Sequence, residues 1–264
     1  MRNRTRVRVD LWPVTGRAGR WYRPIMFGLT VAIGAVAVAF LWATSNGAMG
    51  TSGARVDYTH YLDATRRWLD TGTPYLAAEA AGPFDYQPLT YLHPPIALLL
   101  FLPFLWLPAF LWWAIPLSIV GACVVSFRPA PWSWPILALL LCHPYLDYRI
   151  ILGNSGLWIW AGIAAGLRFG WPALLVIAKP SLAPFVLVGA RHRSWWIGAI
   201  IVAIACLPFG ALWLDWFRVV VNSPGDWTYN LVDIPWLMVP VVAWLVRRSD
   251  HRSAAMVEIP NIGR

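Results

Sequence analysis

The chain has 264 residues, of which 59% are hydrophobic and only 12% are charged. An average soluble domain carries about 25% charged residues, so this composition excludes a compact soluble enzyme, and its long apolar runs exclude a disordered chain. The net charge of +9 comes almost entirely from arginine, and seven arginines precede residue 24. An anionic membrane surface explains that arm better than nucleic acid does, so no nucleic-acid partner is expected.

Apolar segments long enough to approach the roughly 20 residues of a membrane-crossing helix recur along the chain. They predict an all-α polytopic membrane protein, a bundle of about eight transmembrane helices. The predicted spans are residues 25–43, 94–107, 109–127, 133–146, 153–169, 171–190, 195–213 and 234–246. This divides the chain into a basic cytoplasmic arm (1–24), a transmembrane domain (25–247) and a cytoplasmic tail (248–264). With both termini inside, 14 arginines face the cytoplasm and 6 face outward, as the positive-inside rule favours.

Two polar segments, 44–93 and 214–233, then face the outer side. Within the first, residues 58–70 have the spacing of an amphipathic helix that lies on the membrane, and Gly72 is its stop signal. The expected apolar face holds Tyr58, Tyr61, Leu62, Thr65, Trp68 and Leu69, and the polar face holds His60, Asp63, Arg66, Arg67 and Asp70. Asp57 directly precedes this helix, either as its N-cap or as a general base at the outer face.

Lys179 is the one lysine of the chain and lies inside an apolar span. A cation there is costly and marks a cavity, a partner or a ligand, and a phosphate is the functional candidate. The alternative is that Lys179 snorkels or binds a backbone carbonyl freed by Pro180 and Pro184. Cys123, Cys142 and Cys206 form no paired motif, and no metal or nucleotide signature is present, so no metal or cofactor is expected.

Six short motifs, in order between about residues 25 and 235, resemble those of glycosyltransferase family 87, which belongs to the GT-C membrane enzymes. The family pattern has an Asp after the first span, a Gly-x-Pro-Tyr turn, a Tyr-Pro-Pro helix entry, a Gly-Gln-x-Asn segment, a Lys-Pro motif and a Tyr-x-Asn loop. The matching stretches here are residues 56–64, 72–75, 91–95, 152–157, 178–182 and 222–230.

The resemblance implies a GT-C-like membrane enzyme that transfers a sugar, mannose in the family's actinobacterial members, from a polyprenyl-phosphate donor. The acceptor would be an exofacial glycolipid or glycan, and the lipid bilayer would hold the donor tail. Asp57 is the candidate base by its place in the motif, Asp63 is a weaker one, and His93 is a candidate proton shuttle. The candidate substrate-binding residues are Arg66, Arg67, Tyr91, Asn154, Lys179 and Asn230.

The chain also departs from the family pattern. Asn154 stands where the family has glutamine, and Leu231-Val232 follow Asn230 where the family has Gln-Ser. These departures predict a shortened or diverged member. The second hypothesis is therefore a non-catalytic relative that binds or positions polyprenyl-linked glycans in envelope assembly. A third, a small-solute transporter, has only the intramembrane Lys179 in its favour.

Overall fold

The computed structural model describes residues 24–29, 31–32, 55–84, 90–223 and 231–247. These ranges are mostly helical and contain no β-strand, only an isolated bridge between Pro129 and Arg247, which confirms the predicted all-helical class. The basic arm, most of the first predicted span, Asn230 and the tail fall outside the described residues. No single helix in the described ranges is both long and apolar enough to cross a membrane, although two bent pairs of helices meet that test together.

Five α-helices form the first half of the described chain, after a short helical stretch at 24–29 and 31–32. They are α1 (Val56–Thr71), α2 (Ala77–Ala81), α3 (Leu98–Phe101), α4 (Leu111–Ser126) and α5 (Trp134–Leu141). Short 3₁₀ turns, Pro95–Ala97, Leu102–Leu105 and Pro131–Ser133, flank α3 and precede α5. Each of these turns has a proline in its first two positions, where a missing N–H costs no helical hydrogen bond.

The second half continues with α6 (Pro144–Leu152), α7 (Gly156–Phe169), α8 (Arg193–Cys206), α9 (Leu212–Asn222), α10 (Ile234–Leu237) and α11 (Val239–Leu245). Between α7 and α8 lie two 3₁₀ helices, Trp171–Ala178 and Pro180–Gly189, and a third, Leu207–Phe209, follows α8. The core is rich in aromatic residues, with Trp112 and Trp236 fully buried. Helix α7 is buried along nearly its whole length and is the centre of the bundle.

The bundle has two chemically different ends. At one end, which we call the Asp57 end, Asp57 lies against Asn154, and Lys179 and Arg149 lie against Asp233. At the other, the arginine end, Arg128, Arg168, Arg191 and Arg247 line one cleft. Helix α7 begins two residues after Asn154, at the first end, and carries Arg168 in its last turn, at the second. At 1.5 Å per residue its 14 residues separate the two ends by about 21 Å.

The predicted span 171–190 is wrong as a single crossing, because the chain reverses at Lys179. Its two 3₁₀ helices pack against each other as a hairpin whose tip is at the Asp57 end. Gly170 and Gly189 meet at the base of the hairpin so closely that a Cβ on Gly189 would collide with the Gly170 carbonyl. Pro172, Pro180 and Pro184 disfavour a continuous α-helix here, and the glycine contact lets the two arms close.

The predicted span 94–107 does not cross the bundle either. The span begins at the Asp57 end, beside His93, whose ring hydrogen-bonds the Ala178 carbonyl. Trp112, five residues after the span, donates to the Gly153 carbonyl, so the chain has returned to the same end. One further contact is incompatible with the predicted sidedness of residues 147–152 relative to Asp233. Arg149, which the span count placed on the cytoplasmic side, is 3.0 Å from Asp233, which that count placed outside.

The described part of the predicted outer segment 214–233 is largely helical. Helix α9 occupies Leu212–Asn222 and is bent by 89° from the helical segment Arg193–Phe209. Trp216 donates its indole N–H to the Leu92 carbonyl, and Asn222 donates to the carbonyl of Glu79. Both bonds bring α9 against the described part of the first polar segment.

Candidate functional site

Asp57 lies in the first turn of α1 and is not its N-cap. The helix begins one residue earlier than Asp57, at Val56, and its N-cap position is Arg55 in a left-handed conformation with no side-chain cap bond. The N-cap interpretation of Asp57 is therefore wrong. Its carboxylate is half-buried and points away from its own helix toward the segment that precedes α7.

Asn154 fixes the Asp57 carboxylate. The Asn154 amide nitrogen donates to Asp57 Oδ2 at 2.6 Å, and the Asn154 carbonyl oxygen accepts the Gly156 N–H at 2.8 Å. Because both ends of the amide are used, its orientation is set. Burial raises the pKa of Asp57 above its usual value of 3.8, while the Asn154 hydrogen bond and then the charges of Arg149 and Lys179 oppose that rise.

A buried cluster of three charges lies beside this pair. The Asp233 carboxylate, fully buried, accepts from Arg149 Nε at 3.0 Å on one oxygen and from Lys179 Nζ at 3.2 Å on the other. The side chains of Arg149 and Lys179 are only 2% and 11% exposed. Two cations and one carboxylate are thus buried together, and both cations interact electrostatically with the Asp57 carboxylate. Buried charges of this kind are retained only where partners offset them.

His93 belongs to a hydrogen-bonded chain that joins α1 to the hairpin tip. Its Nδ1 is 2.8 Å from the Ala178 carbonyl oxygen, which can only accept, so Nδ1 carries the proton and Nε2 is bare. Nε2 then accepts from Ser155 Oγ at 3.4 Å, and Ser155 Oγ accepts from the Tyr61 hydroxyl, also at 3.4 Å. Burial lowers the pKa of His93 to about 4, so the ring is neutral at pH 7.

Aromatic rings form one wall of the site. Tyr61 stacks on Phe101 with ring centroids 4.6 Å apart, and Tyr91, which is fully buried, packs against both His93 and Phe101. The Tyr91 hydroxyl has no hydrogen-bond partner among the described residues. The Tyr75 hydroxyl donates to the His93 carbonyl and so holds the turn after α1 against this wall.

The remaining charged candidates lie apart from Asp57. Asp63 and Arg66 pair with each other at 2.7 Å on the exposed face of α1, and Arg67 donates to the Pro74 carbonyl at 2.6 Å. The predicted faces of α1 are partly wrong, because His60 is buried beside Tyr91 and Leu69 is exposed. The polypeptide after Gly72 folds back over the His60 side, so this helix is covered on more than one face. Gly72 itself ends α1 in a left-handed conformation, as predicted.

The structure thus brings together five predicted residues: Asp57, Tyr91, His93, Asn154 and Lys179. It adds four that the sequence argument did not select, namely Tyr61, Arg149, Ser155 and Asp233. One signal was available for two of them. Arg149 and Asp233 each lie beside an apolar segment, where an unpaired charge is costly and a partner should be sought.

No group of three or more His, Cys, Asp or Glu side chains that could hold a metal ion occurs within the described ranges. The sequence matches no family model, and searches of curated proteins and of solved structures found no similar protein.

Proposed function

We propose that this chain is a polytopic membrane glycosyltransferase that transfers a sugar from a polyprenyl-phosphate donor to a glycolipid or glycan acceptor at the outer face. The observation that carries the proposal is the proximity of a half-buried carboxylate, Asp57, to two buried cations, Arg149 and Lys179, that a third group, Asp233, holds in place. The motifs that resemble family 87 contribute Asp57, Tyr91, His93, Asn154 and Lys179 to this one place.

Exposed apolar side chains support the membrane part of the proposal. On α8, five neighbouring large side chains are each at least 60% exposed: Trp196, Ile197, Ile200, Ile201 and Ile204. Val125 on α4 and Leu139 on α5 are each 65% exposed, so apolar surface lies on several elements of the bundle. Water-soluble proteins rarely expose contiguous apolar patches of this kind, whereas lipid chains cover them without cost.

The corrected sidedness supports an outer location for the site. Arg149 joins the Asp57 end, while Arg128 and Arg168, which the span count placed outside, join Arg191 and Arg247 at the arginine end. With the other assignments unchanged, the 20 arginines divide 15 inside to 5 outside instead of 14 to 6. The positive-inside rule therefore favours the arginine end as cytoplasmic and the Asp57 end as exofacial.

The proposed chemistry is a direct displacement at the anomeric carbon of the donor sugar. Asp57 takes the proton of the acceptor hydroxyl, the hydroxyl oxygen bonds to the anomeric carbon, and the bond from that carbon to the phosphate oxygen breaks. The polyprenyl phosphate leaves with the electron pair, and attack opposite the leaving group inverts the anomeric carbon. A base of this kind contributes about 10²–10⁴-fold to the rate.

The cation cluster would stabilise the leaving phosphate. Lys179 and Arg149 are already oriented by Asp233, so their positive field requires no rearrangement as negative charge develops. After the Asn154 hydrogen bond, the same field also favours the ionised form of Asp57, since both cations oppose the rise in its pKa that burial causes. Neutral His93, with Nε2 held against Ser155, positions the segment that presents Asn154.

Substitution of Asp57 by Asn tests the proposal. Wild type and Asp57→Asn would be purified in detergent and assayed with polyprenyl-phosphate mannose and a glycolipid extract. We expect transfer to fall on the order of 10²-fold or more, because Asn cannot accept the proton. Asp70→Asn is the matched control, since Asp70 is an exposed carboxylate on the same helix. Equal activity in Asp57→Asn and wild type would show that Asp57 is not the general base. No transfer by wild type would favour the second hypothesis, a non-catalytic relative that binds polyprenyl-linked glycans.

A further inference from the structure

A cleft at the arginine end, remote from Asp57, holds four guanidinium groups. Arg128, Arg168, Arg191 and Arg247 line it together with Trp244, and its volume is about 530 Å³. They come from four separate places along the chain: the ends of α4 and α7, the segment before α8, and the end of α11. We call this feature the arginine cleft.

Two of these arginines are held in place on one indole ring. The guanidinium carbon of Arg191 is 4.3 Å from the centre of the Trp244 ring, and that of Arg247 is 4.1 Å from it. Backbone carbonyls hold the same groups: Arg191 donates to Leu167 at 2.6 Å, and Arg247 donates to Trp244 at 2.6 Å. The side chains are therefore ordered before any ligand arrives, which lowers the entropic cost of binding.

The described residues that line the cleft include four arginines and no acid. All four arginine side chains are exposed, so water and salt screen the repulsion between them. Scattered interfacial arginines would satisfy the positive-inside rule without converging on one ring.

We propose that the arginine cleft binds a phosphate-bearing anion. The planar fork of a guanidinium matches two phosphate oxygens at once, and several forks around one space select phosphate over a single carboxylate. The volume exceeds that of a phosphate alone, and Phe127, Leu167 and Trp244 give the cleft an apolar wall. The headgroup of an anionic phospholipid and a soluble phosphate compound share this chemistry. The inference does not depend on the proposed glycosyl transfer.

Titration with two probes tests this inference. The full chain in neutral detergent would be titrated with short-chain phosphatidylglycerol and, separately, with inorganic pyrophosphate, and bound probe would be counted by native mass spectrometry. We expect Arg191→Gln and Arg247→Gln to weaken binding on the order of tenfold each, since each removes a charged hydrogen bond to phosphate. Binding of phosphatidylglycerol alone identifies a lipid headgroup, and binding of pyrophosphate identifies a soluble phosphate.

Arg193→Gln is the matched control. Arg193 is exposed, two residues from Arg191, and does not line the cleft, so its loss removes the same charge from the same end of the molecule. We expect its effect on affinity to stay within about twofold. Arg191→Lys, which keeps the charge and loses the fork, should fall between wild type and Arg191→Gln. An equal loss in Arg193→Gln, or no binding of either probe to wild type, would overturn the proposal.

Discussion

At the scale of single residues, the interaction that decides the chemistry of Asp57 is its hydrogen bond from Asn154. The donated bond stabilises the ionised carboxylate, whereas burial disfavours it. The hydrogen bond lowers the pKa of the Asp57 carboxyl, and burial raises it. Asn154 therefore acts on the proton affinity of the base through a contact that also orders the start of α7.

Replacement of Asn154 by Ala should move the acid limb of the pH–rate profile. Since the lost bond lowered the pKa of Asp57, that pKa rises further, and the base stays protonated up to a higher pH. We expect kcat/KM to fall at the acidic end and to recover at higher pH, measured from about pH 4 to about pH 8.

Asn222→Ala is a suitable comparison, because Asn222 donates only to backbone carbonyls near Glu79. Its acid limb should coincide with that of wild type. If the acid limb of Asn154→Ala coincides with that of wild type, the hydrogen bond from Asn154 does not control the ionisation of Asp57.

Much of the residue-scale picture was accessible from the sequence. A carboxylate directly before the predicted amphipathic helix and a single lysine inside an apolar segment are conspicuous, and both lie at the site. Arg149 and Asp233 each lie beside an apolar segment, but their pairing could not be predicted, because they are 84 residues apart and meet only in the folded chain. The span count placed these two residues on opposite sides of the membrane, and their contact shows that they lie at the same end of the bundle.

At the scale of elements, the hairpin 171–190 and its ion pair are the central feature. Asp233 precedes α10 and holds Lys179 at the tip of the hairpin and Arg149 on α6, so one carboxylate joins three elements. Hydropathy alone cannot reveal the reversal at Lys179, because a crossing helix and two apolar 3₁₀ arms of the same composition have the same mean hydropathy.

Removal of the Asp233 charge should be far more costly than removal of the Lys179 charge. Asp233→Asn leaves two buried cations facing each other, and we expect a loss of about 3–5 kcal/mol in the free energy of unfolding. Lys179→Met leaves the Arg149–Asp233 pair intact and should cost about 1–2 kcal/mol. Unfolding in mixed micelles would measure both.

Asp215→Asn provides the reference for a surface pair, because Asp215 bonds Arg218 on an exposed face. Its cost should be at most about 1 kcal/mol. The double variant Lys179→Met/Asp233→Asn should lose less than the sum of the single losses, since the groups share one network. Similar costs for Asp233→Asn and Asp215→Asn would be inconsistent with a buried cluster.

At the scale of the whole molecule, the two ends carry different chemistry on one compact bundle. The sequence argument predicted the helical class. It did not find which apolar segments reverse direction, because proline-broken segments of 10 to 17 residues are ambiguous between single long helices and hairpins. Contacts between sequence-distant residues reveal the reversal, as at Lys179.

The length of α7 sets the scale of the proposed membrane arrangement. Its rise of about 21 Å is shorter than the roughly 30 Å hydrocarbon core of a bilayer. The two ends can therefore reach both interfaces only if the arginine side chains extend toward the water or the bilayer thins locally. An Asp57 end set slightly below the outer surface would meet the phosphate of a lipid-linked donor close to its tail.

Sidedness is the measurement that tests this account most directly. In a chain with Cys123, Cys142 and Cys206 replaced by Ala, single cysteines would be placed at Ala78 near the Asp57 end and at Arg193 near the arginine end, both exposed. We expect an impermeant thiol reagent to label Ala78→Cys in intact cells and to label Arg193→Cys only after the cells are opened. Labelling of Arg193→Cys from outside, with Ala78→Cys protected, would contradict an exofacial site.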